Sequence, residues 1–142
     1  MAIQQGLTIS FKQEMLQAGQ NLLTDTLKMA LYTALSDVSP NTTVYTAADP
    51  NEVSGTGYSA GGVVITGVTI DADVNNTVVF VNFNNVSWPG ANFIARGALI
   101  YNVTKANKSV AVLDFGSDKT FNAATNTVTL PGNTSTTALL RF

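Results

Sequence analysis

The chain has 142 residues, a formal charge of −2, a pI near 4.7, no cysteine and no histidine. That length predicts a single domain, 1–142, burying about 68–70% of its unfolded surface without staples; the missing residue types exclude a disulfide framework, a thiolate zinc site and the usual general base. Charged residues make up 11% of the chain against a typical ~25%, so the sequence argues against nucleic-acid or acidic-membrane partners, and Ser, Thr and Asn must build the polar surface.

The opening "MAIQQGLTIS" has neither a basic start nor a continuous apolar run, and no apolar stretch approaches the ~18–20 residues that span a bilayer. The expectation is a soluble protein made in the cytoplasm. Asn-x-Ser/Thr at Asn41, Asn75, Asn85, Asn102, Asn107 and Asn133 then reads as composition and not as glycosylation sites. Ile3, Leu7 and Ile9 alternate with polar or small residues, a strand-like pattern that a free terminus has difficulty burying. Residues 1–9 are therefore expected to form an arm that adds a strand to a neighbouring subunit, with a core strand as the alternative.

Ser10 can cap a short helix, with Gln13 completing a capping box and Gly19 ending it. Phe11, Met15 and Ala18 share one stripe, with Leu16 alongside, so this helix should pack on a sheet. "LKMALYTAL" has good helix formers but follows the break "TDT" and alternates at period two, which predicts a strand. From Ser36 to Gly62 the chain is loop-rich, with one possible short strand at "TVYTA".

Beyond it, strands at intervals of about 8–15 residues suggest an all-β sandwich or barrel. Val63–Ile70 should pair with Thr77–Phe83, "ANFIARGALIYNV" with "KSVAVLDFG", and "TVTLP" with "TTALLRF" around "GNTS". Several of these strands are apolar on both faces. That predicts cover on both sides, by a second sheet, the helix or another subunit, and it favours a homo-oligomer.

"NEVSGTGYSAGGVVITG" puts four glycines, Gly55, Gly57, Gly61 and Gly62, into eight residues. A dinucleotide fingerprint must open a helix, but this one leads into the β-branched "VVITGVTI". A P-loop needs Lys where Val63 stands, so the glycines read as structural turns. "DADVN" at Asp71, Asp73 and Asn75 has the spacing that opens a calcium loop, yet Asn76 and Asn82 replace its glycine and its bidentate Glu. A solvated turn is the simpler reading, and no metal or cofactor is expected. Asp49 with Glu52, and Asp114 with Asp118, read as polar turn residues and not as an acid/base pair. No nucleophile has a recognisable partner, so the chain is not expected to be an enzyme.

Trp88 in "SWPG" reads as core first and as a protein-contact anchor second. Tyr45 and Tyr58, in the loop-rich segment, read as contact residues. Ile3, Leu7 and Ile9 join them as candidate contacts.

The motifs "LKMALYTALSD", "EVSGTGYSAGGV", "VSWPGANFIARGALIYN" and "VAVLDFG", in this order, resemble a group of small virion proteins of tailed bacteriophages. Within it the chain looks most like a capsid cement (decoration) protein of short-tailed phages, and the likeness runs from about Phe11 to Phe142. The resemblance implies a mainly β fold: an antiparallel, jelly-roll-like β-sandwich with one short N-terminal helix. It also implies a non-catalytic homo-oligomer, dimer favoured over trimer, that binds the major capsid protein on the outer surface of the shell after synthesis in the host bacterial cytoplasm. In that family the Glu52–Gly62 loop would lie close to a neighbour, with Tyr58 as a contact side chain. A tail, neck or fibre component, or a sugar-binding β-sandwich using Trp88, Tyr45 and Tyr58, is the alternative.

Overall fold

A computed structural model describes residues 2–132 and 134–142; Asn133, of one Asn-x-Ser/Thr triplet, and the first residue of the expected arm, Met1, lie outside the described residues. The fold is mainly β, with antiparallel sheets and a single short helix, as the sequence predicts. In chain order the elements are β1 Gly6–Leu7, α1 Ile9–Leu16, β2 Leu27–Tyr32, β3 Val63–Val64, β4 Thr69–Asp73, β5 Val78–Asn82, β6 Val86–Ser87, β7 Phe93–Asn102, β8 Lys108–Phe121, β9 Thr127–Val128 and β10 Leu140–Arg141. They form a five-stranded sheet ordered β1-β8-β7-β2-β3, a three-stranded sheet ordered β10-β5-β4, and the pair β6-β9.

The main sheet is built on β2, β7 and β8, and both of its faces are buried by the chain itself. Leu27, Met29, Leu31, Ala98, Ile100, Ala111 and Leu113 face the larger core, where Phe11 of α1, Val81 of β5 and Leu140 of β10 meet them. Ala30, Tyr32, Leu99, Tyr101 and Val112 face the other way, under Ile3, Val38 and Tyr45 from segments outside the sheet. Apolarity on both faces is therefore satisfied within one chain and is no sign of a subunit interface. The subunit argument fails because 30 residues of loop between β2 and β3, Thr33–Gly62, are long enough to lie across the second face.

Residues 2–9 are not a detached arm. The Gln4 N–H donates to Val38 O at 3.0 Å, Gly6 and Leu7 pair with Val112 and Ala111, and Ile3 is buried in the second cluster. The long β8 offers an unpaired edge of the same sheet, and the N-terminus of its own chain reaches that edge first. Of the three candidate contacts in this segment Ile3 is buried, Leu7 half-buried and Ile9 exposed.

The helix starts earlier than expected because Thr8, not Ser10, is its cap: the fully buried Thr8 Oγ1 accepts from the Phe11 N–H at 3.3 Å. Its end is a Schellman turn, in which the Gly19 N–H reaches Glu14 O at 2.7 Å and the Ala18 N–H reaches Met15 O at 3.3 Å. Ala18, at φ 55°, takes the left-handed position one residue before the glycine expected to mark the stop. Of the predicted stripe, Phe11 is buried and Met15 half-buried, whereas Leu16 and Ala18 are exposed.

Two predicted hairpins are re-paired. Val63–Ile70 is not one strand: Gly67, at φ 67°, breaks it, so Val63 and Val64 join β2 while Thr69–Asp73 pairs with β5 in the other sheet. "TVTLP" and "TTALLRF" do not pair with each other. β9 pairs with β6 and β10 with β5, because each of these two-residue strands finds its partner through the core contacts of Val86, Val128 and Leu140. The predicted β7–β8 hairpin forms, and an irregularity at Phe115–Asp118 interrupts its register.

Candidate functional site

The glycine-rich loop is held by a carboxylate that the sequence presents as a turn residue. Glu52 is only 9% exposed, and its oxygens accept from Tyr45 Oη at 2.9 Å, Tyr58 Oη at 2.7 Å and the Gly61 N–H at 2.6 Å. Tyr101 Oη donates to Gly61 O at 2.7 Å, and Tyr58 Oη accepts from the Leu31 N–H at 2.9 Å. Backbone bonds flank the acid, with Val53 N–H on Leu31 O and Thr33 N–H on Asn51 O, both at 2.9 Å. Among the described residues no cation forms an ion pair with Glu52, so neutral donors alone satisfy it.

Burial raises the phenol pKa of Tyr58, Tyr45 and Tyr32, and the Glu52 carboxylate adds to the shift in all three. Tyr101, affected by burial and then by Glu52, is pushed up to about 12. These are all four tyrosines of the chain. The cluster ties β2, β7 and the loop into one unit.

The glycines fit that role. Gly57, Gly61 and Gly62 have φ of 82°, 91° and 74°, and Gly55 lies at 156° with a Cβ position 3.0 Å from Asn92 O. At Gly62 a Cβ would overlap the Met29 carbonyl, so only glycine lets the loop lie on β2 there. The loop is anchored on its own sheet through Glu52, Val53 and Gly61, while residues 54–57, Ser59 and Ala60 are exposed.

The contact reading is thus corrected for Tyr45, while Trp88 takes the core role read first. Tyr45 is buried and stacks on Tyr101 at 4.4 Å, and Tyr58 is half-buried with its hydroxyl engaged and its ring edge-on to Phe93 at 5.5 Å. Trp88 is core: 1% exposed, it stands edge-on to Phe121 at 5.8 Å, and Phe121 stacks on Phe93 at 5.0 Å. Such aromatic pairs contribute about 0.5–1.5 kcal/mol each beyond area burial, which favours the core role. The Glu52 cluster is hidden in the sequence because its three direct donors, all within nine residues of the acid, follow no regular period, and the Leu31 N–H and Tyr101 that complete it come from distant strands. The available signal was one acid flanked by tyrosines seven residues before and six after it.

What the molecule does present is the β4–β5 hairpin. Four of the five β4 residues are exposed and the fifth half-buried, and the hairpin carries Ile70, Val74 and Val79 at 40%, 83% and 43% exposure. Val79 exchanges both backbone bonds with Phe142, at 3.1 and 2.8 Å, so its N–H and C=O face β10. Its counterpart Ala72 then stands in a non-hydrogen-bonded pair, with N–H and C=O pointing away from β5; Ile70, opposite Val81, does the same. β4 is the outer strand, and among the described residues nothing hydrogen-bonds to those groups.

The calcium reading finds its residues used otherwise. Asp73 closes the hairpin turn by accepting from the Asn75 and Asn76 N–H groups at 3.1 and 3.2 Å, and from Asn76 Nδ2 and Ser135 Oγ. Asp71, two residues before Asp73 on the same face of β4, is exposed and makes no side-chain hydrogen bond among the described residues. Among the described residues no three acids gather as a metal site. No protein-family model matches the chain, and neither a curated protein nor a solved structure is similar to it at a significant level.

Proposed function

We propose that this chain is a structural protein of a tailed-bacteriophage virion that binds and stabilises the capsid shell, without chemistry of its own. The observation that carries the reading is the ordered set of motifs "EVSGTGYSAGGV", "ARGALIYN" and "VAVLDFG". The geometry supports it in one respect: the first of these motifs is the Glu52 loop and the other two are β7 and β8, so all three build the rigid body of the fold. The exposed hairpin is attached to that body and is free to touch something else. On this reading the protein sits on the outer surface of the capsid, is made in the host cytoplasm, partners the major capsid protein, and forms a homodimer in preference to a trimer.

Mass spectrometry of disrupted particles should find the chain in hundreds of copies. Its absence overturns the proposal, and a handful of copies makes it a tail, neck or fibre part. The sugar-binding alternative is weakened by the burial of Trp88 and Tyr45, which leaves neither ring free to stack on a pyranose. Light scattering that shows a monomer at micromolar concentration counts against an obligate dimer.

A further inference from the structure

We propose that the free edge of β4 takes up an extended segment of the shell protein as a fourth strand, and that this segment alternates basic with apolar side chains; the choice of the shell as source rests on the function proposed above. The other strand ends of the molecule are guarded. β1, β3 and β10 are two residues long, and the uncovered part of β8 is broken at Phe115–Asp118 and carries Lys119. Short strands, irregularities and lysines are the usual protection of a sheet edge. β4 has none of them: its five residues, Thr69–Asp73, include no Lys and no Pro, and Ile70 and Ala72 turn their N–H and C=O groups outwards.

The chemistry of the incoming strand follows from the two faces of β4. Ile70 and Ala72 share a face with Val79, Val81 and Phe142, so the residues opposite them should be apolar. Asp71 and Asp73 lie on the other face, and the hairpin from Thr69 to Asn82 carries no Lys or Arg. Opposite charges directly across a ladder are favourable and like charges unfavourable, which calls for Lys or Arg in the alternate positions.

The same charges exclude a second copy. A two-fold axis between antiparallel β4 edges must run perpendicular to the sheet and pair residues of like parity. Centred on Asp71 it opposes the two Asp71 carboxylates, centred on Ala72 it opposes Asp71 to Asp73, and centred on Ile70 it leaves the acids crowded diagonally on one face. None of these registers provides a cation.

The test uses the full chain and shells of its own virus stripped of the protein. Ala72→Pro removes an outward N–H without touching the β4–β5 ladder, as edge positions allow. Asp71→Lys reverses the charge on the edge, and Asp118→Lys makes the same net change elsewhere. Ala72→Pro and Asp71→Lys should each weaken binding to shells about tenfold, the loss of roughly one hydrogen bond or charge pair, while Asp118→Lys binds as wild type. Amide exchange at Ile70 and Ala72 should slow when wild-type protein is bound. If all three variants bind like wild type, or if Asp71→Lys and Asp118→Lys weaken binding equally, the edge is not the contact and the inference falls while the shell function stands. If wild-type protein does not bind bare shells at all, the proposed function falls and this partner with it. Wild-type self-association through β4, read by slowed Ile70 and Ala72 exchange at high concentration without shells, would put a second copy on the edge and overturn the assignment.

Discussion

β2 and β4 are both outwardly simple strands, yet they occupy opposite extremes of this molecule. β2 is five-sixths buried, sits between β7 and β3, and has core on one face and the tyrosine cluster on the other. β4 is held by β5 alone and has no residue in the core. The difference teaches that stability and contact capacity are kept apart here. The motifs that look most distinctive in the sequence build the rigid part, and the plain stretch "TIDAD" is the part left open.

The contrast breaks most sharply at Ile100, which is fully buried opposite Met29. Ile100→Ala should cost about 2–5 kcal/mol in urea unfolding, through lost transfer energy and a residual cavity. If the cost matched that of a hairpin substitution, the division into core and contact element would be wrong.

Glu52→Gln tests the loop. The amide keeps the shape but has one oxygen where two carboxylate oxygens serve Tyr45, Tyr58 and Gly61, so a buried donor loses its acceptor. The expected loss is about 1–3 kcal/mol. Binding to a partner through the hairpin should be unchanged, since the loop does not touch β4.

The tyrosines provide a pH test. A phenol whose pKa is raised by folding stays protonated in the native state while the unfolded chain ionises from its model value of 10.0. The unfolded state then binds fewer protons, so stability is fully present below pH 10 and falls as pH rises through the Tyr101 value of about 12. All four phenols shift in this direction, so no phenolate absorbance should appear near pH 10 in the folded protein. Absorbance should rise together with loss of tertiary structure. A tyrosine that titrates at its ordinary value while the fold is intact would mean that the cluster is open to water.

At the small end, Val74→Ser at the hairpin turn should change stability by no more than about 0.5 kcal/mol, because the side chain is 83% exposed. Hydrogen exchange sharpens the same comparison: the outward amides of Ile70 and Ala72 should exchange fastest and those of Leu99 and Ile100 slowest.

The sequence by itself determined the elements whose signal is local and long enough to repeat: the mainly β class, the helix near Phe11, the strand at Leu27–Tyr32 and the β7–β8 hairpin. Their periodicity and breaks are properties of consecutive residues. It also marked Gly55, Gly57, Gly61 and Gly62 as turn residues, whereas the missing room for a Cβ at Gly62 follows only from how the loop lies on Met29. Tertiary structure alone decided the rest. β6, β9 and β10 are two residues each, too short to carry a pattern, and their pairings follow from which apolar side chain the core has space for. Gly6 and Leu7 form an edge strand and not part of an arm because the side of β8 away from β7 is open to them at Ala111 and Val112, which no local rule reveals. Glu52 reads as a turn residue until Tyr45, Tyr58 and Gly61 converge on it, because these local donors meet the carboxylate only when Leu31 of β2 and Tyr101 of β7 hold the loop folded on the sheet.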